Sequence, residues 1–447
     1  MSAPATGRRG PSTARPAARA VYALAAGIVG ALLIARAAPD LRRSMRQTPW
    51  DLNVDHLTAR AYLDGYSPYT AAGAKRSGVD IAGLSGHGHP PTTAFWILPL
   101  APLSIHTAGR LLAWITFVLL FVELTVAMHL LAVPAPIASA WLATSFVVGC
   151  SFMSYHVGVG QISGLIGFLY FVGWWAARAG KDVAAGAALG AACTLKLFPG
   201  VMVLFLLVSR RFKAAAAAGA VYLAVAAVMT ARFGLGSWRR FFTVQPAIAD
   251  QWMGSIQNQS VHGIVTRFFE PVCQHHGPVV PAAMRISAAV SVVLFVLATR
   301  WTWGARHRSD RSPAAFDAAF ALFATLSVIT SQWVWEHYAV IYVLPLVILA
   351  ARLRAEWCGG RARAKIAAVA TVVVGVGASW LVEVQVKQDL QRAVWAGDRA
   401  LHARLHLVDT LAWLPALALA GALFIVCRWR TDAQTAPPRE WSPVSPP

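Results

Sequence analysis

Apolar runs long enough to cross a lipid bilayer recur from Ala20 almost to the end of this 447-residue chain, and they restrict its fold more than any other feature. Lipid offers no partner for a free backbone N–H or C=O, so each run has to form a helix. With 57% hydrophobic residues and only 13% charged ones, a string of soluble domains is excluded. The first run, Ala20–Ile34, follows a tail carrying Arg8, Arg9, Arg15 and Arg19 and leads into Arg36 and Pro39. It has no small-residue cleavage site, so it reads as a retained signal-anchor helix.

A formal net charge of +20 would suit a nucleic-acid binder. The basic residues, however, fall in short clusters between the apolar runs: Arg8–Arg19, Arg210 with Arg211 and Lys213, Arg306–Arg311, Arg352–Lys365, and Arg428 with Arg430. The positive-inside rule places all of these in the cytoplasm, and topology then accounts for the charge without nucleic acid. Cys150, Cys193, Cys273, Cys358 and Cys427 are scattered, and only Cys273 falls in a predicted outer loop. Neither a disulfide framework nor a metal cluster is implied.

Segmentation predicts helices near 20–38, 106–132, 136–155, 161–178, 182–196, 198–209, 213–232, 281–302, 314–331, 338–352, 364–382 and 409–428, which makes twelve with both termini cytoplasmic. Segments 182–196 and 198–209 are too short to span comfortably and meet at Lys196-Leu197-Phe198-Pro199-Gly200, so a broken or re-entrant pair is expected there. The organisation is a basic cytoplasmic tail over 1–19, one membrane unit over 20–430, and a disordered cytoplasmic tail over 431–447 rich in Pro, Ser and Thr. Long outer segments are expected at about 39–105, 233–280 and 383–408. In the first, Leu57–Tyr62 and Thr93–Leu103 read as short helices along the outer interface.

Candidate chemistry gathers on these outer segments. Asp51 and Asp55 stand four apart, so on a helix they share a face, and their mutual repulsion raises the proton affinity of one of them. That suits a general base, although both could equally be solvated loop acids. Lys196 lies at the predicted helix break, where an ionisable side chain reads as functional unless it snorkels to the interface. Arg239, Arg240 and Arg267 lie where the positive-inside bias gives no reason for them, so an anionic ligand or lipid headgroups would meet them. Ser255–Ser260, with Asn258 and Gln259, is a polar run whose amides both donate and accept, as sugar hydroxyls require; a plain polar loop is the alternative. His337, beside Trp333 and Trp335, suits phosphate contact or orientation of a base. Glu123 and His129 should face the bundle rather than lipid. His87 and His89 are two apart without a third ligand, so no metal and no cofactor are expected.

The stretch Asp51-Leu-Asn-Val-Asp55 through Gly65-Tyr-Ser-Pro68-Tyr69 resembles the first-loop signature of the C superfamily of polyprenol-phosphate-sugar glycosyltransferases, and within it glycosyltransferase family 87. Further resemblance lies in His89-Pro90-Pro91 with Leu98-Pro99-Leu100-Ala101-Pro102-Leu103, in Gly160-Gln161-Ile162-Ser163-Gly164-Leu165 followed by Lys196-Leu197-Phe198-Pro199, and in Ser331-Gln332-Trp333-Val334-Trp335-Glu336-His337-Tyr338. It covers about residues 50–350 and departs at His89 for Tyr, Gln332 for Pro, Glu336 for Asp and Tyr338 for a second His.

That resemblance implies an all-α, polytopic bundle of the GT-C type with a long first extracytoplasmic loop. It also implies an inverting transfer of mannose from polyprenyl-phosphate-mannose to a hydroxyl of a glycolipid or cell-envelope glycan; arabinofuranosyl transfer from polyprenyl-phosphate-arabinose is the alternative. Asp51 inherits the base role with Asp55 in reserve. Lys196, Arg267 and His337 are then expected at the donor phosphate, and Gln161, His89, Trp335 and Glu336, with Asn258 and Gln259, at the sugar or acceptor. The setting expected is the plasma membrane of a bacterium, an actinobacterium by resemblance, with membrane lipids as surroundings. A lipid or drug transporter would also suit twelve helices with a broken pair, but its polar residues should gather at the midplane rather than on outer loops.

Overall fold

The computed structural model describes residues 16–77, 89–255, 258–269, 281–309 and 313–358, and every regular element among them is helical. Helix α1, Pro16–Ser44, runs on past Pro39 and ends on Arg42 and Arg43, favourable charges for a helix C-terminus. The chain then forms α2 (Trp50–Leu63), α3 (Ala71–Ser77), α4 (Thr93–Ile97) and a 3-10 turn at Leu98–Leu100. Helix α5, Ile105–Leu130, starts where the Ser104 hydroxyl accepts the Thr107 N–H at 3.2 Å, supplying one of the orphan donors of a first turn with a partner.

Helices α6 (Pro136–Gly149) and α7 (Ser151–Val159) meet at Cys150 with a bend of 70°. They are followed by α8 (Ser163–Arg178), α9 (Asp182–Leu195), a 3-10 turn at Phe198–Gly200, α10 (Val201–Val208) and α11 (Phe212–Phe233). The segment after α11 forms α12 (Leu235–Trp252) and α13 (Val261–Phe269). Next come α14 (Pro281–Ser309), α15 (Pro313–Ile329), a 3-10 stretch at Glu336–Tyr342 and α16 (Val343–Cys358).

Among the described residues, five helices are long and apolar enough to cross a membrane, within Pro16–Ser44, Ile105–Leu130, Phe212–Phe233, Pro281–Trp303 and Glu336–Ala355; the bent α6–α7 pair would be a sixth. The twelve spans expected from sequence are therefore not reproduced among the described residues. Asp182–Leu195, Phe198–Val208 and Pro313–Ile329 are apolar but shorter. At 1.5 Å per residue the 14-residue α9 reaches only about 21 Å, short of the roughly 30 Å hydrocarbon layer. The segments 364–382, 383–408, 409–428 and 431–447 lie outside the described residues.

The centre of the bundle is α15, buried without a gap from Asp317 to Ile329. A helix apolar on every side belongs inside, and α15 meets α10 and α8 there. Phe205 of α10 packs edge-on to Phe320 at 5.4 Å between ring centroids and lies 5.5 Å from Phe323, while Tyr170 and Trp174 of α8 are fully enclosed. Without their own hydrophobic driving force in lipid, helices associate where small residues let backbones approach. Helices α9 and α11 do this at Gly186 and Gly190, where a Cβ would stand 2.0 Å from the Ala214 oxygen and 2.4 Å from the Ala218 oxygen. Gly186→Ala is accordingly expected to force the pair apart and to cost about 1–3 kcal/mol, the range for overpacking. Thermal unfolding in detergent should register it, whereas Gly219→Ala, with nothing within 4 Å, should leave the melting temperature unchanged.

Candidate active site

The site forms where the segment between α1 and α5 docks on the break after α9. The sequence sets the break locally: Lys196 is extended at φ −149° and ψ 156°, and Pro199 two residues into the next turn supplies no N–H to continue α9. Helix α4 is fastened beside it, because the Thr93 hydroxyl donates to the Leu195 carbonyl at 2.7 Å and the Trp96 indole N–H to the Thr194 hydroxyl at 2.7 Å. Helix α2 is fastened in turn to the turn after α4. His56 Nε2 donates to the carbonyls of Leu100 at 3.2 Å and Leu103 at 3.1 Å, and burial holds this imidazole below the usual histidine range.

Gly160 brings α2 against the bundle. It ends α7 in the left-handed region at φ +71°, and a Cβ there would lie 2.6 Å from Pro49 and 2.7 Å from Leu52, on both counts a position for glycine. The next residue, Gln161, thereby lies beside Asp51.

Gln161 joins two opposite charges. Its Nε2 donates to Asp51 Oδ2, while its Oε1 accepts from Lys196 Nζ at 2.9 Å and from the Ser163 hydroxyl at 3.4 Å. The amide orientation follows, since a carboxylate can only accept and an ammonium can only donate. Lys196 Nζ also donates to the Tyr338 hydroxyl at 2.8 Å and lies 4.3 Å from the centroid of that ring, a favourable place for a desolvated cation. Lys196 is 4% exposed, so its charge has almost no water to lean on. One helical turn along α2, Asp55 accepts from His89 Nδ1 at 2.8 Å, with side chains 5% and 17% exposed. Burial pushes the Asp51 carboxyl above the usual aspartate range; His89, Lys196 and the Gln161 amide pull it back, and Asp55 adds to the rise.

A cavity of about 380 Å³ adjoins this cluster, with His89, Lys196 and Tyr338 in its wall beside Phe198, Gln332 and Trp333. Beneath it, His337 stacks on Tyr338 at 4.8 Å between centroids and leans on Tyr155 at 5.5 Å. His337 is buried with neither ring nitrogen hydrogen-bonded, and its carbonyl accepts from His156 Nδ1 at 3.4 Å. Glu336 is buried alongside in the same 3-10 stretch.

Asp51, Asp55, His89, Gln161, Lys196, Glu336 and His337 thus belong to one neighbourhood. Asn258, Gln259 and Arg267 make contacts with backbone groups. Asn258 Nδ2 donates to the carbonyls of Met253 at 2.9 Å and Gln332 at 3.0 Å, and its Oδ1 accepts from the backbone of Ser260 and Val334. Arg267 Nη1 donates to the carbonyls of Ser255 at 2.6 Å and Asn258 at 2.9 Å, and the Gln259 N–H donates to the Val334 carbonyl at 2.7 Å. These residues clamp the α12–α13 connection onto the 331–334 segment that borders the cavity. Asn258→Ala would strand buried backbone groups at about 1–3 kcal/mol. The expected result is a lowered melting temperature in thermal unfolding. Trp335 packs edge-on to Trp252 at 5.5 Å.

Tyr338 was visible in the sequence only as a departure from the pattern, and Tyr155 and His156 carried no signal, since each sits in an apolar run. Among the described residues no three His, Cys, Asp or Glu side chains converge on a metal position.

A sequence model of glycosyltransferase family 87 matches residues 88–331. The match takes in His89, Gln161, Lys196 and Arg267; Asp51 and Asp55 precede it, and Glu336–Tyr338 follow it. No curated protein and no solved structure matches the chain.

Proposed function

Because the chain belongs to glycosyltransferase family 87, we propose that this membrane glycosyltransferase takes mannose from polyprenyl-phosphate-mannose and adds it, with inversion, to a hydroxyl of a glycolipid or cell-envelope glycan. The observation that carries the reading is the Asp51–Gln161–Lys196–Tyr338 chain of hydrogen bonds beside the cavity. A glycosyl phosphate needs a cation at its leaving group and a base at its attacker, and here one amide separates a carboxylate from an ammonium.

In this reading the acceptor hydroxyl gives its proton to Asp51 as its oxygen bonds to the anomeric carbon. The bond from that carbon to the phosphate oxygen breaks, and the phosphate keeps the electron pair. Lys196, with the Tyr338 hydroxyl beside it, faces the charge that develops there. Asp55 is the reserve carboxylate, and His337 lies under the phosphate end. The cationic clusters between apolar runs favour cytoplasmic termini and an extracytoplasmic site, in a bacterial plasma membrane.

The test supplies membranes containing the protein with labelled polyprenyl-phosphate-mannose or polyprenyl-phosphate-arabinose and a glycolipid extract. A mannose-labelled glycolipid is expected. Label from the arabinose donor alone would overturn the sugar, and label crossing vesicles without a new glycosidic bond would overturn the transferase.

A further inference from the structure

His89 differs from its neighbours at the site in what it offers a ligand. Asp55 is buried and, as a carboxylate, only accepts, so the hydrogen of the 2.8 Å contact belongs to His89 Nδ1. In the neutral imidazole the other ring nitrogen, Nε2, then carries a lone pair, and His89 forms part of the cavity wall. Two other residues of the cavity wall make the reverse offer. Lys196 can only donate, and the Tyr338 oxygen already takes one Lys196 proton, which leaves its own hydrogen for a ligand oxygen.

We propose that His89 is a sugar-recognition residue, its Nε2 accepting a hydrogen bond from a hydroxyl of the bound sugar while Asp55 holds the tautomer that makes this possible. The proposal rests on the glycosyl-transfer reading and adds the direction in which substrate lies. An anion is drawn to Lys196 and Tyr338 and repelled by a lone pair backed by a carboxylate; a hydroxyl suits the His89 end. The ligand class is a neutral polyol carrying a phosphate at one end only. A carboxylated sugar directed at His89 would meet lone pair against anion. The recognised hydroxyl belongs to the donor sugar or to the acceptor sugar, and the experiment separates the two.

Purified protein in lipid nanodiscs is assayed for transfer with intact donor and acceptor and with each of their single-deoxy analogues, as wild type, His89→Phe and His89→Gln. His89→Phe is expected to raise KM for one of the two substrates about ten- to a hundredfold, with kcat changed less than about threefold. One deoxy analogue of that substrate should show the same loss with wild type and no added loss with His89→Phe, because both changes remove one hydrogen bond. His89→Gln, whose amide can donate to Asp55 and turn an oxygen to the cavity, should retain most of the wild-type KM; a purely structural role would predict no such match to one hydroxyl. Additive losses for every analogue of both substrates would overturn the proposal while leaving the transferase standing. A His89→Phe enzyme with unchanged KM and kcat down a hundredfold would also overturn it and move proton transfer onto the imidazole. If wild type transfers sugar from no polyprenyl-phosphate donor, the functional reading falls and this one with it.

Discussion

Replacing Asp51 with asparagine is expected to lower the rate of sugar transfer about 10²–10⁴-fold, the usual loss when a positioned base is removed, with the protein still folded. The change suits the test because Asn keeps an oxygen that Gln161 Nε2 can donate to, so the contact that orients the loop survives. What disappears is the negative charge and the capacity to take a proton. The pH dependence supplies a second readout. Burial raises the Asp51 carboxyl pKa, and only the ionised form is a base, so kcat should fall tenfold per pH unit below a pKa lying above the ordinary aspartate value of about 4. Transfer at the normal rate by Asp51→Asn would remove Asp51 from the chemistry and leave Asp55 to be tested in the same way.

Lys196→Met should be as severe for a different reason. Methionine fills much the same volume without charge, so leaving-group stabilisation is lost and kcat is expected to drop about 10²–10³-fold. Gln161 Oε1 and the Tyr338 hydroxyl each lose a donor, but Ser163 still reaches Gln161 at 3.4 Å and Tyr338 opens on the cavity. The diagnostic result is a loss that shrinks when the donor carries a better leaving group than polyprenyl phosphate. Equal loss across donors of different leaving-group acidity would assign Lys196 to packing the helix break instead. Lys196→Arg is not a gentle control, because a planar fork cannot occupy the Gln161–Tyr338 bridge as a compact ammonium does.

Some of this architecture was legible because it is written in local chemistry. The helical class follows from the apolar runs, and the break after α9 follows from Lys196-Leu-Phe-Pro-Gly, where proline removes a donor. The spacing of Asp51 and Asp55 gave a shared face, and the structure does put both on α2. The number of spans was less legible. Apolar length alone does not separate a helix that faces its surroundings from one such as α15, which is short and enclosed by its neighbours. The backbone contacts of Arg267 and Asn258 were not legible, because no side-chain pattern announces a carbonyl or amide partner. The pairing of His89 with Asp55 joins residues 34 positions apart, and nothing at either position names the other.

The seat of Gly160 against Pro49 and Leu52 bears on timing. With His56 bound to the turn after α4, and Thr93 and Trp96 bound to the end of α9, the acid-bearing helix α2 is set in place when the chain folds, not afresh at each encounter with substrate. The conformational entropy lost in aiming Asp51 is therefore lost once in the lifetime of the molecule. Turnover by such an enzyme would be limited by the arrival and departure of its lipid partners rather than by closure of the first loop.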